Sequence, residues 1–436
     1  MAHTPLYEQG LSELRAGRYA EARALFDRSE AEAGTTEDTR KQIAESEGLI
    51  TEGQIDVAAQ KLAALLDRNP ALVEPYLGLA RIALFTGQVD DARTHASAAV
   101  RVGPQVGLGW TLLGLVDEVQ GRTETAFSNF ARGAELGRDD YLCQYNYGRA
   151  LTAADKPKSA IPFLLRATEL SPDNEEAFIA LAVTHHKNGQ HDEAIEALEQ
   201  AADVAPKNPD VWATMADLLF GQKRYNDART ALEEGLETIG DHPALLEKAT
   251  ACALAMDDAP GAVAYIEREL KVVPNHEQGW LNLARLSLMV GNPSRSEEAA
   301  RALLERNPKR WEGWLHLGDL YDAQREEAKA HDAYRKALEI APGEWKVLMN
   351  FGAALVQTTD ATKHAEGKKL LEKAREVAPN EWRVVYNLAL AYVRIGQDER
   401  ALELAQKIQS QAAADDPMVA EARKLESNLL EKRPKA

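Results

Sequence analysis

Three histidines stand close together at His185, His186 and His191, with Asp192 beside the last, and imidazoles with one carboxylate can hold zinc. The spacing argues for something plainer. His185 and His186 are adjacent and so face different sides of a helix, and His191 fills a turn position that is polar or aromatic in comparable stretches of the chain. The cluster reads as a solvated turn, with no metal. Gly107, Gly109 and Gly114 imitate a dinucleotide-binding fingerprint, but position 112 is Leu and no strand pattern precedes them. They read as glycines at a helix start. No phosphate-cradling GxxxxGK[ST], HExxH, GxSxG or EF-hand loop occurs. Cys143 and Cys252 are the only cysteines and form no CxxC pattern, which fits thiols in a reducing compartment. The expectation is a chain with no catalytic residue and no cofactor.

The elements behind these residues repeat. Pro70, Pro104, Pro172, Pro206, Pro274, Pro308 and Pro342 lie on one 34-residue grid, with Arg138 and Gly240 at its two other places. A second column reads Ala58, Ala92, Ala126, Ala160, Ala194, Ala228, Ala262, Ser296 and Ala330. Small side chains there let two helices approach closely. A third, from Gly10 through Gly114, Gly148 and Gly318 to Ala389, counts twelve units. Each unit carries two helix-period apolar stretches joined by a short turn, and the proline ends the second. Two residues are added between the first two units, near Gly34, and three more are expected to enlarge the turn from Thr358 to His364. The unit at 243–276 is the weakest, with Thr250, Asp257 and Glu269 at pattern positions, and is expected to soften or bend the array.

Charge limits the partners. The formal net charge is −18, yet residues 343–436 hold 15 Lys and Arg against 14 Asp and Glu. The acidic first four-fifths would repel nucleic acid and anionic membranes, while the last fifth would accept an acidic partner. No charge-free apolar run reaches membrane-spanning length, and the start MAHTPLYEQG lacks the pattern of an export signal. A cytoplasmic location is expected, with no nucleic-acid binding and no membrane insertion.

The pattern W-x2-L-G-x2-Y…A-x3-F…A…P resembles the tetratricopeptide repeat family. Trp314, Leu317, Gly318, Tyr321, Ala330, Tyr334, Ala337 and Pro342 fill every signature position, and units around Trp110 and Trp212 match well. The resemblance implies an all-α, right-handed superhelical solenoid of antiparallel helix pairs over residues 1–412. Residues 413–436 would form a C-terminal capping helix and a basic tail. In that helix Asp416 is the N-cap, Pro417 opens the first turn and Val419, Ala422, Leu425 and Leu429 share one face; Leu425 and Leu430 could instead seed a dimer. The resemblance places Trp110, Trp212, Trp280 and Trp314 inside their hairpins. Trp311, Trp345 and Trp382 open three consecutive first helices, and either pack between repeats or meet a partner.

By the same resemblance the first helices line the concave side, and positions two, five, six, nine, twelve and thirteen of each unit touch a ligand. These positions give an apolar stretch of Leu77, Leu84, Phe85, Leu108, Leu115 and Val119, open to an amphipathic helix or closed by tight curvature. Position six reads Asn146, Asn282, His316, Asn350 and Asn387, a candidate ladder whose amides would hold the backbone of an extended peptide. Arg149, Arg285, Lys346, Arg383 and Arg394 stand on the same helices and would favour acidic side chains. No three consecutive units supply the lysine, asparagine and arginine set that binds chaperone C-terminal tails. The expected function is a scaffold or adaptor binding extended peptide segments of other proteins. The alternative is an accessory subunit that docks one folded enzyme or one secretion or assembly component.

Overall fold

In the computed structural model the described residues are 4–413 and 415–431, and among them 25 helices and no strand are found. They pair in chain order. The first six hairpins are α1 (Pro5–Arg15) with α2 (Tyr19–Ala33), α3 (Thr36–Thr51) with α4 (Ile55–Arg68), α5 (Val73–Phe85) with α6 (Val89–Val102), α7 (Gly107–Val119) with α8 (Thr123–Leu136), α9 (Tyr141–Ala153) with α10 (Pro157–Leu170), and α11 (Glu175–Lys187) with α12 (His191–Val204). The seventh helix-turn-helix stretch holds α13 (Pro209–Gly221) and α14 (Tyr225–Ile239), and the next five hairpins are α15 (Pro243–Ala255) with α16 (Ala259–Val272), α17 (Glu277–Met289) with α18 (Pro293–Arg306), α19 (Trp311–Ala323) with α20 (Glu327–Ile340), α21 (Trp345–Gln357) with α22 (Ala361–Val377), and α23 (Trp382–Arg394) with α24 (Asp398–Gln411). A single helix, α25 (Pro417–Glu431), follows. The chain forms two compact units, Met1–Leu218 and Leu219–Ala436, whose boundary falls inside α13.

Local chemistry sets the helix ends. The residue before each grid proline, and before Pro379, is driven out of the helical region by the pyrrolidine ring. Asn69, Gly103, Ser171, Ala205, Val273, Asn307, Ala341 and Ala378 accordingly close their helices with φ between −141° and −122°. Eleven of the twelve helix-turn-helix stretches hold one left-handed residue in the turn, the eleventh excepted. Seven turns use glycine with φ from 73° to 78°, while Asp155, Lys223, Asp257 and Arg325 adopt the same conformation at 57° to 62°.

Packing inside a hairpin depends on the small columns. All nine residues of the alanine column are buried. A methyl group on Gly114 would lie 2.6 Å from the Phe130 ring, and one on Gly148 would lie 2.6 Å from Leu164. Within Met1–Leu218 the first helices α3, α5, α7, α9 and α11 each touch the next, and within Leu219–Ala436 so do α17, α19, α21 and α23. Among the described residues of each unit, second helices of neighbouring hairpins do not touch, so the first helices form the inner row of that unit.

Three expectations are corrected, and one alternative is removed. The first hairpin is not a regular member of the row: α1 and α3 do not touch, and α2 reaches α6 instead. Phe26 and Ala22 share a core with Ala71 and Val102, because the inserted turn at Gly34 re-aims the chain. The three extra residues of the eleventh hairpin do not enlarge its turn. They lengthen α22 to 17 residues, capped by Asp360, whose Oδ1 accepts from Thr362 N at 3.0 Å. Trp110, Trp280 and Trp314 are half-buried and lie beside the loop that precedes their helix, outside the hairpin core. Their indole N–H groups donate to the carbonyls of Pro104, Pro274 and Pro308 at 2.8–3.0 Å, and the more buried Trp212 does the same to Pro206. Leu425 is buried with Val419, Ala422 and Leu429 against α23 and α24, which removes it as a dimer seed; Leu430 is exposed. Trp311, Trp345 and Trp382 are half-buried, the last two against the core shared by the final hairpins and α25. The basic tail lies outside the described residues.

In the weak eighth hairpin α15 and α17 do not touch, although they are consecutive first helices. Glu269 is buried there, and its carboxylate meets His276 Nδ1 at 2.5 Å. A buried carboxylate needs such a partner to offset its desolvation.

Candidate partner-binding surfaces

The structure sorts the expected contacts on the first helices into three groups. Leu77 is buried, and Leu84, Leu108 and Leu115 are half-buried against the core of the third and fourth hairpins. Close approach of α5 and α7 therefore closes most of the apolar stretch. Phe85 and Val119 remain outside it, 79% and 64% exposed at the C-terminal ends of those helices.

The asparagine column divides. Asn146 is 4% exposed and donates its amide to the Leu142 carbonyl of its own helix at 2.8 Å. His316 is 8% exposed and its Nε2 lies 2.7 Å from Ser296 Oγ on the preceding α18. Neither is a surface rung. Asn282, Asn350 and Asn387 are half-buried and reach the surface. Asn282 accepts from Gln278 at 2.9 Å, and Asn350 donates to Asp319 Oδ1 at 2.8 Å.

Asp319 was not singled out by the sequence reading. It takes a second bond from Tyr334 Oη at 2.8 Å, so it ties α19, α20 and α21 together. Burial raises its carboxyl above the ordinary range, and the two hydrogen bonds work against that rise. A visible signal existed: an acid at position nine stands 31 residues before an asparagine at position six of the next unit. Burial likewise lowers His316 to about 4, with Arg285 adding to the effect, so the imidazole is neutral.

The cations differ in the same way. Arg149 is paired with Glu118 at 2.5 Å. Arg285, Lys346, Arg383 and Arg394 are exposed and have no carboxylate partner among the described residues, and Lys346 lies over the Trp345 ring at 5.6 Å. A further depression of about 450 Å³ on α9 and α11 is floored by Ile179 and Val183 and bordered by Tyr145, Arg149 and Lys187.

The residues first considered for catalysis take structural places. His185 is buried with Nδ1 3.2 Å from Gln190 Oε1, while the His186 and His191 rings lie 5.1 Å apart. Among the described residues no group of three or more His, Cys, Asp or Glu is placed to hold a metal. Cys143 is buried under Thr111, and burial pushes its thiol up to about 12. Among the described residues no helix is long and apolar enough to cross a membrane.

The chain is similar to known proteins in part. The profile described as the cytochrome c-type biogenesis protein H TPR domain matches residues 299–419. Tetratricopeptide repeat profiles match 3–35, 49–115, 163–196 and 185–251. No curated protein matches. Among solved structures, yeast Tom70 is 11% identical, covering 91% of this chain and 96% of its own, with a TM-score of 0.41. Cut9, from the APC/C Cut9–Hcn1 hetero-tetramer, is 10% identical over 98% of this chain and 96% of that one, with a TM-score of 0.41. Pseudomonas aeruginosa PilF is 20% identical over 50% of this chain and 97% of its own, with a TM-score of 0.40.

Proposed function

The chain belongs to the tetratricopeptide repeat family, whose members generally mediate protein–protein interactions, and on that premise we propose that it is a non-catalytic scaffold binding extended, acidic peptide segments on its first helices. One observation carries the reading. In a chain with a formal net charge of −18, Arg285, Lys346, Arg383 and Arg394 stand exposed on the first helices with no carboxylate partner among the described residues. Asn282, Asn350 and Asn387 sit on the same helices and offer amides to a peptide backbone. Strands advance about 3.3 Å per residue, and helices pack about 10 Å apart. An amide on a first helix would therefore meet an extended peptide about once in three residues, with α17, α21 and α23 supplying rungs and α19 none.

The test is a titration of a fluorescein-labelled Asp- and Glu-rich 15-residue peptide into the whole chain at low and physiological salt. Binding should weaken with salt and fall about tenfold or more when Arg285, Lys346, Arg383 and Arg394 are all changed to Glu. Equal binding by that variant would remove the acidic-peptide reading. The buried cysteines Cys143 and Cys252 support a cytoplasmic location.

The match over 299–419 supports a second reading, an accessory subunit that docks one folded component of an assembly machinery, as the name of that profile suggests. Topology reporters fused to the chain separate the two, since an assembly role outside the cytoplasm requires export.

A further inference from the structure

A second surface feature lies between the fourth and fifth hairpins, away from the positions considered above. Four hairpins begin with the same device: a tryptophan at position four bonds the carbonyl of the grid proline six residues earlier. In the tenth hairpin Lys336 covers that indole, with Nζ 4.2 Å from the Trp314 ring centroid. The fifth hairpin keeps the setting and changes the occupant. One repeat after Trp110 stands Gln144, and one repeat after Pro104 stands Arg138. Gln144 is buried and turns inward, donating to the carbonyls of Ala134 at 3.0 Å and Gly137 at 2.8 Å.

A pocket of about 640 Å³ lies where the other hairpins hold an indole. Its walls are Ala131 on α8 and Tyr147, Pro162 and Phe163 on α9 and α10. The Tyr147 and Phe163 rings meet edge to face at 4.8 Å, so the wall is itself aromatic. The Arg138 carbonyl, at the place of the proline carbonyl, accepts only a long bond of 3.4 Å from Arg166 Nε. Arg166 in turn stands at the repeat position of Lys336, the cation over Trp314.

We propose that this pocket receives a tryptophan side chain from a partner polypeptide, seated as Trp110, Trp212, Trp280 and Trp314 are seated in their own hairpins. The incoming indole meets aromatic edges in the geometry such rings prefer. Its N–H finds the Arg138 carbonyl, and Arg166 lies within reach of its face. The rim selects a side chain over the free amino acid. Arg166 is already paired with Asp139 at 2.5 Å and Glu169 at 2.9 Å, and Glu135 with Arg132 at 2.6 Å. An ammonium and a carboxylate would compete with those pairs, whereas a residue within a polypeptide carries neither.

The probe is N-acetyl-5-fluorotryptophanamide, followed by fluorine NMR with the full chain. Its resonance should shift saturably with the wild type. Gln144→Trp and Ala131→Phe fill the pocket from opposite walls, and both should weaken binding about tenfold or more. Gln144→Trp copies the neighbouring hairpins and Ala131→Phe leaves Gln144 in place, so either folded variant suffices. N-acetyl-leucinamide and free tryptophan should compete poorly. Equal binding by wild type and the folded variants overturns the site, as does equal competition by N-acetyl-leucinamide. Free tryptophan matching the capped probe overturns the polypeptide as its source. The site is independent of the acidic-peptide reading, since none of the four cations mutated there touches it.

Discussion

Neutral His316 makes the tenth hairpin sensitive to acid. Burial takes the imidazole down to about 4, whereas in an unfolded chain it titrates near 6.5. Between those values the unfolded chain binds a proton that the folded one does not, so stability rises with pH. The contribution is complete above about 6.5 and is lost as the pH falls through about 4. At about 1.4 kcal/mol for each pH unit, up to ~3 kcal/mol is involved, and about 2 kcal/mol of it is gone by pH 5. Replacement by Asn, the residue at this column in Asn282, Asn350 and Asn387, removes the titrating group and retains a partner for Ser296. Hydrogen exchange over Trp311–Ala323, corrected for intrinsic rates, reads the local effect. Between pH 7 and pH 5 the wild type should lose about 20-fold in protection relative to His316→Asn. Asp319 works in the opposite direction, since its raised carboxyl favours the folded state as pH falls, and it is common to both proteins. Parallel losses in the two would refute the assignment.

Lys223 and Arg325 hold the left-handed turn position at φ 62°, where seven other turns use glycine. Changing either to Gly should raise stability by about 1 kcal/mol, seen as a higher thermal midpoint; an unchanged or lower midpoint would mean the strain is absorbed elsewhere. Gly114→Ala places a methyl group 2.6 Å from Phe130 and should cost about 1–3 kcal/mol in urea unfolding, with helix content in the folded state retained.

The periodic part of the fold was legible because each column answers one steric demand that recurs every 34 residues. Proline ends a helix whatever surrounds it, and a small residue opposite Phe130 or Leu164 is required wherever two helices meet that closely. Side-chain direction was less legible. Position six looks alike in Asn146 and Asn350, but one amide bonds its own helix at Leu142 and the other reaches Asp319 on the neighbouring α19. His316 turned inward because Ser296 replaces an alanine in the column of the preceding hairpin, a pairing separated by 20 residues. The tryptophans were misplaced for a related reason. Their large rings suggested the core, while the indole N–H needs an acceptor, and the grid proline's carbonyl is the one at hand.

Capping by α25 also governs what copies of this protein can do to one another. A row of hairpins has unlike surfaces at its two ends, and unlike surfaces that fit each other join head to tail without closing, which builds filaments. α25 lays Val419, Ala422, Leu425 and Leu429 along the apolar edge of the last hairpin and turns Arg423 and Lys424 outward. Fifteen residues of amphipathic helix thereby replace a surface on which another hairpin could grow with one that is charged.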